Sequence, residues 1–372
     1  MKKLKNLNFR ANAWLICFVV IALAAFGCVM VYSASFYSAN YHYGNPRFFL
    51  YKQLLGFVLG LAGMIFFSFV DYHLLAKYKW WIVGISAVLL CLVFIPGLGM
   101  ESYGAKRWVS ILGFSIQPSE IAKFALVIFT AAYMSKHHDK AKTFKGLLPV
   151  LAVGGIFCLL IMLEPSMSVT MCICFVLLFM LIIGGMSKKH TLMFSVPAAA
   201  AVPLLIVLEP YRLKRLLAFV DPWASPQGEG FQLIQSLYSL GDGGWFGVGL
   251  FSSRQKYLFL PFAESDFVLS IMGEEIGFVG VTLFLIVVMF LCWRLIKIGL
   301  NAKDRFGTML ACGVAFVIAV QTLLNVAVVT GSIPPTGLPL PFISAGSTSL
   351  LVFMSAIGVV LNVDRQSRKT KI

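Results

Sequence analysis

Hydrophobic and polar positions alternate in blocks along this chain of 372 residues. Ten apolar stretches have roughly the length that crosses a hydrocarbon core. They cover approximately residues 13–33, 54–70, 80–96, 119–134, 147–163, 168–185, 191–208, 267–293, 308–330 and 344–362. The pattern predicts an all-α polytopic membrane protein, with about ten transmembrane helices forming one integral-membrane domain over residues 1–372. The longest polar interval, approximately 209–266, predicts a large extracellular loop between helices 7 and 8.

Composition and charge agree with this class and give an orientation. Hydrophobic residues make up 59% of the chain, charged residues 12%, and the mean hydropathy is +0.89, which excludes an ordinary soluble protein. Of the 30 Lys and Arg residues, 20 fall in connections on the N-terminal side and nine on the opposite side. Positive charge concentrates in cytoplasmic connections, so both termini are expected in the cytoplasm. Basic loops facing anionic lipid account for the net charge of +15 without nucleic acid.

Most of the outward cations fall into three clusters, each beside aromatic residues. The clusters are Lys106 and Arg107, then Arg212, Lys214 and Arg215, then Arg254 and Lys256. They fit either contact with lipid headgroups or binding of a phosphate-bearing ligand at the outer surface. The second cluster lies on an amphipathic segment, residues 211–223, which predicts a helix lying in the membrane interface. Beyond it, Gln235 shares a helical face with Gln232 and Ser236, a candidate polar surface.

Residues 261–280, PFAESDFVLSIMGEEIGFVG, bring carboxylates to the start of an apolar span. Asp266 fits either a helix N-cap or a functional carboxylate at the outer surface. Glu274 and Glu275 fall inside the span, where ionisable groups are costly and need partners. We expect these two glutamates to tie the helix to its neighbours, while Gly273 and Gly277 permit close packing.

Two further polar groups enter the predicted membrane region. Glu120 and Lys123 are spaced i, i+3 near the start of a span, which predicts a structural ion pair. The segment TGSIPPTGLPLPFISAGSTS has four prolines, which exclude a regular helix. It predicts a loop that dips into the protein and lines a cavity, followed by a serine-rich helix start at Ser347.

Several motifs, in order along nearly the whole chain, resemble the shape, elongation, division and sporulation (SEDS) family, typified by FtsW, RodA and SpoVE. The motifs are GAKRWVSILGFSIQPSEIAKF, PYRLKRLLAFVDPW, GFQLIQSLYSLGDGGWFGVGL, SRQKYLFLP, SDF with GEEIGF, and TGSIPPTGLPLPFISAGSTS. The PYRLKR and DPW stretch is more similar to the FtsW and SpoVE branch than to RodA.

The resemblance implies a peptidoglycan glycosyltransferase in the bacterial cell membrane that polymerises lipid II on its outer face. A class B penicillin-binding protein, and other membrane proteins of division or sporulation, are the implied partners. The family's essential aspartate falls on Asp266, which could act as the base for an acceptor hydroxyl. Lys106, Arg107, Arg212, Arg215 and Lys256 are the candidate cations for the departing pyrophosphate, with Gln235 and Ser347 as further substrate contacts. No resident cofactor or metal site is expected, although a pyrophosphate substrate is compatible with Mg²⁺ or Mn²⁺.

The chain also departs from the family's pattern at four positions around the expected site. Ser166 replaces an acidic residue and Ser168 a glycine in EPSMSVT. Phe262 stands in place of a glutamate in PFAESDF, and Ala345 begins AGSTS where glycine is usual. These changes fit a specialised member of the family or one with weakened catalysis.

Two alternatives to the enzyme remain open from the sequence. A transporter that flips a lipid-linked sugar would use charged groups inside the membrane, and Glu120, Lys123, Glu274 and Glu275 keep that alternative open. A non-catalytic scaffold that positions a penicillin-binding protein would not need Asp266. The sequence leaves open the choice among division, elongation and spore-cortex synthesis.

Overall fold

The computed structural model describes residues 2–102, 105–111, 114–164, 166–207, 209–335 and 337–369. Within these ranges the chain is mostly helical. The helices are α1 Lys2–Tyr43, α2 Phe48–Phe69, α3 His73–Lys77, α4 Lys79–Leu92, α5 Pro118–Lys136, α6 Phe144–Leu163, α7 Met167–Ile183, α8 Lys188–Val207, α9 Pro210–Val220, α10 Phe231–Gly243, α11 Val268–Leu300, α12 Arg305–Val329 and α13 Ser347–Lys369. The strands are β1 Gly99–Ser102, β2 Ala105–Ile111 and β3 Phe114–Ile116.

Each of the ten apolar stretches coincides with one of these helices, which confirms a polytopic helical membrane protein. Six helices among the described residues are long and apolar enough to cross a membrane by themselves: α1, α2, α6, α11, α12 and α13. The helices α4 and α7 are apolar but shorter. The amphipathic segment 211–223 forms α9 almost as expected, with Pro210 in its first turn, where the missing N–H costs nothing.

A small antiparallel sheet between α4 and α5 was not predicted by the hydrophobic pattern. Its strand order is β1-β2-β3, and Val109 of β2 pairs with Gly99 on one side and Ile116 on the other. Val109 is buried, so the sheet packs one face against the protein. The strands have only three to seven residues, too few for a clear alternating signal beside the long apolar runs.

The long helix α11 is broken at Gly277, which has φ 68° and ψ −174°. The loop after α10 fills the gap, because Val248 N donates to Glu274 O at 2.9 Å and Phe278 N donates to Gly244 O at 2.9 Å. These bonds satisfy backbone groups that the break would otherwise leave unpaired inside the membrane. A Cβ atom on Gly277 would lie 2.3 Å from the backbone nitrogen of Gly247, so no larger residue fits.

The most buried spans are α12 and α13, and α13 packs closely against α2. A Cβ atom on Gly56 would lie 2.6 Å from Cα of Ser347, and one on Gly60 would lie 2.8 Å from Sδ of Met354. Small residues on α2 therefore let the two backbones approach, as is typical of membrane helix pairs. This contact fixes the start of α13, where the proline-rich loop ends.

Candidate active site

Asp266 lies in an irregular segment immediately before α11 and is not part of the helix. The N-cap position is occupied by Phe267, and the helix begins at Val268 without a side-chain capping bond. The N-cap interpretation of Asp266 is therefore wrong, because a residue two positions before the helix does not occupy the cap. Its side chain is free for another role.

Side chains from two other elements fix the backbone around Asp266. The Nδ2 atom of Asn325, on α12, donates to Asp266 O at 2.9 Å and to Leu338 O at 2.7 Å. In the proline-rich loop, the Ser344 hydroxyl donates to Ser265 O at 2.5 Å. As predicted, that loop is irregular and dips into the protein, because Leu338 is buried together with Leu340, Phe342 and Ile343.

The Asp266 carboxylate and the Arg107 guanidinium meet beside Gly337 of this loop. A Cβ atom on Gly337 would lie 3.0 Å from Oδ2 of Asp266 and 3.8 Å from Nη1 of Arg107. Gly337 also has φ +67°, a conformation that favours glycine. A side chain at this position would therefore crowd the Asp266 carboxylate and contact the Arg107 guanidinium, so glycine suits the space beside these two groups.

The electrostatic environment tunes Asp266 to titrate near neutral pH. Burial raises the pKa of Asp266 from 3.8 to about 6, while the positive charges of Arg107 and Arg215 oppose that rise. Burial also raises the pKa of nearby Glu264, with a smaller contribution from the Asp266 charge. A carboxylate with a pKa of about 6 is mostly ionised at neutral pH, yet it is more basic than an ordinary aspartate. Asp266 is thus suited to accept a proton.

Arg107 is brought to this place by the unpredicted sheet. It lies in β2, and its Nε atom donates to the backbone oxygen of Glu164 at 3.4 Å. Antiparallel pairing joins β2 to β1 on each side of Arg107, at Lys106 and Trp108, and joins residues 109–111 to β3, so the guanidinium extends from a strand whose neighbouring residues are paired. Lys106 precedes it in β2, but its side chain lies outside what the structure describes.

The amphipathic helix α9 supplies the second cation of the site. Arg215 acts electrostatically on Asp266, and its Nε atom lies 3.8 Å from Oε2 of Glu229 in a partly exposed ion pair. Arg212, one turn earlier, is also partly buried and interacts with neighbouring groups. The structure thus brings Arg107 and Arg215 to Asp266 from two different elements.

Lys256 does not belong to this group of cations, contrary to the expectation that it lies at the surface. Its side chain is 5% exposed, and its Nζ atom donates to Oε1 of Glu275 at 3.1 Å and to the Ser33 hydroxyl at 3.3 Å. Lys256 is buried because Glu275, at the end of the first half of α11, is a buried carboxylate that needs a cation as its partner. The positive charge of Lys256 is therefore neutralised inside the protein.

Glu274 joins the loop after α10 to the first half of α11. Its carboxylate accepts hydrogen bonds from the Ser253 hydroxyl at 2.5 Å, the Ser239 hydroxyl at 3.1 Å and the backbone nitrogen of Arg254 at 2.6 Å. Both glutamates are thus engaged in contacts between elements, as a role in tying the helix to its neighbours requires. Gly273 allows this approach, since a Cβ atom there would lie 2.5 Å from Cδ2 of Leu240.

Glu120 and Lys123 form the expected ion pair, at 2.8 Å between Nζ and Oε1, with both side chains fully buried. The Lys123 ammonium also bonds to the side-chain oxygen of Gln321, on α12. The amide nitrogen of Gln321 donates in turn to Pro339 O at 2.8 Å. The pair is therefore connected to the same proline-rich loop that carries Gly337.

Two other proposed contact residues, Gln235 and Ser347, have no described bond to these charged groups. Gln235 on α10 is partly exposed, whereas its neighbour Ser236 is buried and bonds to the Ser270 hydroxyl and to Val329 O, each at 2.8 Å. Ser347, the first residue of α13, is only partly exposed and packs against α2. Neither Gln235 nor Ser347 has a described contact with Asp266.

Comparison with known proteins places this geometry in a family. The FtsW/RodA/SpoVE family model, with the description "Cell cycle protein", matches residues 13–369. The chain belongs to this family. It is 39% identical over 355 residues to stage V sporulation protein E of Bacillus subtilis (strain 168), covering 95% of this chain and 97% of that protein. It is also 39% identical over 354 residues to the probable peptidoglycan glycosyltransferase FtsW of Geobacter sp. (strain M18), covering 94% and 96%.

Solved structures of the family agree with the fold. One chain comes from the structure "Structural coordination of polymerization and crosslinking by a peptidoglycan synthase complex". It has a TM-score of 0.78 and 29% identity, over 95% of this chain and 98% of that chain. The rod shape determining protein RodA of Thermus thermophilus has a TM-score of 0.69 and 25% identity, over 95% and 96%.

The four departures from the FtsW/RodA/SpoVE pattern occupy structured positions. Ser166 is the residue before α7, and its backbone oxygen accepts a bond from Thr170 N at 3.2 Å; Ser168 is buried. Phe262 has φ 57°, a strained conformation for a non-glycine residue. Ala345 N donates to Glu264 O at 2.8 Å, so it takes part in holding the loop beside Asp266.

Sequence reasoning missed three polar residues that the site uses. Gln321 and Asn325 are one helical turn apart in an apolar span, a spacing that could have identified one polar face of α12. Glu164 follows the apolar run of α6, and its backbone oxygen accepts the hydrogen bond from Nε of Arg107. Among the described residues, no group of three or more His, Cys, Asp or Glu side chains is placed to hold a metal ion.

Proposed function

We propose that this chain is a peptidoglycan glycosyltransferase that polymerises lipid II into glycan strands. The observation that carries the proposal is the buried Asp266 carboxylate placed beside the Arg107 guanidinium at Gly337, with the charge of Arg215 acting on the same carboxylate. The similarity to a probable peptidoglycan glycosyltransferase over 94% of the chain supports the same activity.

In the proposed reaction, Asp266 accepts the proton of the acceptor sugar's hydroxyl group. The hydroxyl oxygen then attacks the anomeric carbon of the donor, and the bond from that carbon to the lipid pyrophosphate breaks. The electron pair leaves with the pyrophosphate, whose charge Arg107 and Arg215 stabilise. Direct displacement inverts the anomeric carbon, and the pyrophosphate bond supplies the driving force without ATP. Lys106 and Arg212 remain additional proposed cations, and Gln235 and Ser347 proposed substrate contacts.

We further propose that residues 1–372 form one integral-membrane domain of the bacterial cell membrane, with both termini in the cytoplasm. Residues 209–266 and Asp266 then face outward, where lipid II is polymerised. The excess of Lys and Arg on the side of the termini supports this orientation. Labelling of single cysteines with an impermeant reagent in intact cells tests it.

A class B penicillin-binding protein is the proposed partner, with other division or sporulation membrane proteins. The similar chain from a peptidoglycan synthase complex supports such a partner. The relatives include a sporulation protein and FtsW proteins, so both processes are candidates. Co-purification of the tagged chain with each penicillin-binding protein of the host tests the pairing.

The deciding experiment is lipid II polymerisation by the purified protein, with and without its partner, followed by gel analysis of glycan chains. Asp266→Asn is the test variant and Asp139→Asn the matched control, since Asp139 is an exposed acid in the connection that follows the C-terminal end of α5. Polymer from wild type and the control, but not from Asp266→Asn, is expected. The same assay with EDTA, Mg²⁺ or Mn²⁺ shows whether the substrate pyrophosphate requires a divalent cation.

Other outcomes of this assay favour the alternatives. Polymer from Asp266→Asn would remove Asp266 as the base. No polymer from any folded variant, even with the partner, would favour a scaffold. In that case, transfer of lipid II across vesicle membranes by the wild-type protein would favour a transporter.

A further inference from the structure

Glu164 is a buried acid that the proposed reaction leaves unused. It lies one residue past the end of α6 and is 1% exposed. Neither of its carboxylate oxygens has a hydrogen-bond partner among the described residues. Leaving a buried polar group unpaired costs free energy, so such a group requires an explanation.

The guanidinium of Arg107 interacts with Glu164 and also lies close to the Asp266 carboxylate. The Nε atom of Arg107 donates to Glu164 O at 3.4 Å, and its positive charge also acts on the Glu164 carboxyl. The other end of the same guanidinium lies beside Gly337 and Oδ2 of Asp266. Arg107 is the charged group that acts on Glu164 from the elements packed around it in the described part of the chain. Glu164 thus belongs to the candidate site through Arg107.

Burial outweighs the attraction of Arg107 and raises the pKa of Glu164 to about 8. At neutral pH this residue is therefore mostly a neutral carboxylic acid, whereas Asp266 is mostly ionised. A neutral carboxyl group carries an O–H donor and does not itself compete with an anion for Arg107. An ionised Glu164 would have no donor and would compete with an anionic ligand for Arg107.

We propose that Glu164, as a neutral carboxylic acid, is a binding residue that donates a hydrogen bond to a phosphate oxygen held by Arg107. The ligand class is a lipid-linked pyrophosphate, and this inference rests on the proposed function. It accounts for an acid that is buried, unpaired and adjacent to the cation of the site. Glu164 is also the acidic residue that this chain has between the end of α6 and the start of α7.

The test measures binding of undecaprenyl pyrophosphate to the purified full-length protein at about pH 7 and about pH 9, on either side of the Glu164 pKa of about 8. Glu164→Gln keeps a donor and cannot ionise. Glu164→Leu has a similar size and no donor. Asp139→Asn is the control for removal of one acid at the opposite face. Size-exclusion profiles check that each variant is folded.

For wild type and Asp139→Asn, the Kd is expected to rise about tenfold between about pH 7 and about pH 9, because the neutral fraction of Glu164 falls about tenfold. The Kd of Glu164→Gln should stay near the wild-type neutral value at both pH values. The Kd of Glu164→Leu should be raised about tenfold at both, as expected for a lost bond to a charged group.

A Glu164→Gln variant with the pH dependence of wild type would overturn the inference. So would a folded Glu164→Leu variant that binds as tightly as wild type at about pH 7. Polymerisation is measured separately on the same wild-type protein. Wild-type binding with the expected pH dependence, but without polymer, would contradict the proposed function alone. Polymer from the wild-type protein, together with a Glu164→Gln variant whose Kd depends on pH as in wild type, would contradict the inference alone.

Discussion

Replacement of Asp266 by asparagine is expected to stabilise the protein while it abolishes activity. Burial raises the pKa of Asp266 from 3.8 to about 6, which means that the folded protein holds the ionised form at a cost. At 1.36 kcal/mol per pH unit, this difference corresponds to about 3 kcal/mol above pH 6. Asparagine has nearly the same shape and no charge, so it removes that cost.

The sign of the effect depends on pH in a defined way. Below the ordinary pKa of 3.8, Asp266 is neutral in both the folded and the unfolded chain and contributes nothing. As the pH rises from 3.8 towards 6, the unfolded chain releases the proton and the folded protein retains it, so stability falls. Above about pH 6 the loss is complete and constant. The stabilising effect of Asp266→Asn should therefore appear between these two values and reach its full size at neutral pH.

Thermal unfolding of the detergent-purified protein provides the assay. The apparent Tm of Asp266→Asn should exceed that of wild type at about pH 7.5 and match it at about pH 4, the pH region of an ordinary aspartate. Asp139→Asn, at an exposed acid, should match wild type at both. A variant that is less stable than wild type at neutral pH would refute the reasoning, because the two arginines would then contribute more than burial costs.

Two further predictions concern the surrounding structure. Lys123→Met should lower the apparent Tm strongly, since breaking a buried ion pair costs about 3–5 kcal/mol. Adding Glu120→Gln to this variant should recover most of the loss, because no unpaired charge then remains. Equal destabilisation of the single and double variants in thermal unfolding would contradict this prediction. Gly277→Ala should abolish polymerisation and lower the yield of folded protein, because its Cβ atom would meet Gly247 N at 2.3 Å. Size-exclusion recovery of normal amounts of active Gly277→Ala would show that the break in α11 tolerates a side chain.

The membrane-spanning helices could be predicted from the sequence because lipid imposes one simple rule. A span must be long, apolar and helical, since its backbone groups have no water to bind. The amphipathic helix α9 followed a similarly local rule, the interleaving of leucines with cations. Both signals lie within one segment, and the structure places most of these elements within a few residues of the predicted bounds, whereas α1, α2, α11 and α13 each extend six or more residues further at one end or both.

The partners of Lys256 and Arg107 could not be predicted because they depend on contacts between distant segments. Lys256 was expected at the surface as part of a basic cluster, but Glu275, 19 residues later, neutralises it. Arg107 was correctly singled out as a candidate, yet its link to Glu164 joins residues 57 positions apart. The short strands that carry Arg107 also lacked a clear periodic signal. The sequence identified which charges are unusual and, for the local Glu120–Lys123 pair, also the partner, whereas the fold determined the partners of Lys256 and Arg107.

The irregular backbone around Asp266 follows from what the site must do. A carboxylate with a raised pKa must be partly buried, yet it must remain accessible at a membrane surface. A regular helix would fix its direction by the helical period, whereas an irregular segment allows Asp266 to face Arg107. Such a segment needs external bonds, and Asn325 of the regular helix α12 supplies one to Asp266 O, while Gln321 of the same helix bonds to Pro339 O in the adjacent proline-rich loop. Because Gln321 also contacts Lys123, the buried ion pair in α5 is connected to the loop beside Asp266. Substitutions at that pair should therefore reduce activity as well as stability, even though neither residue needs to contact substrate.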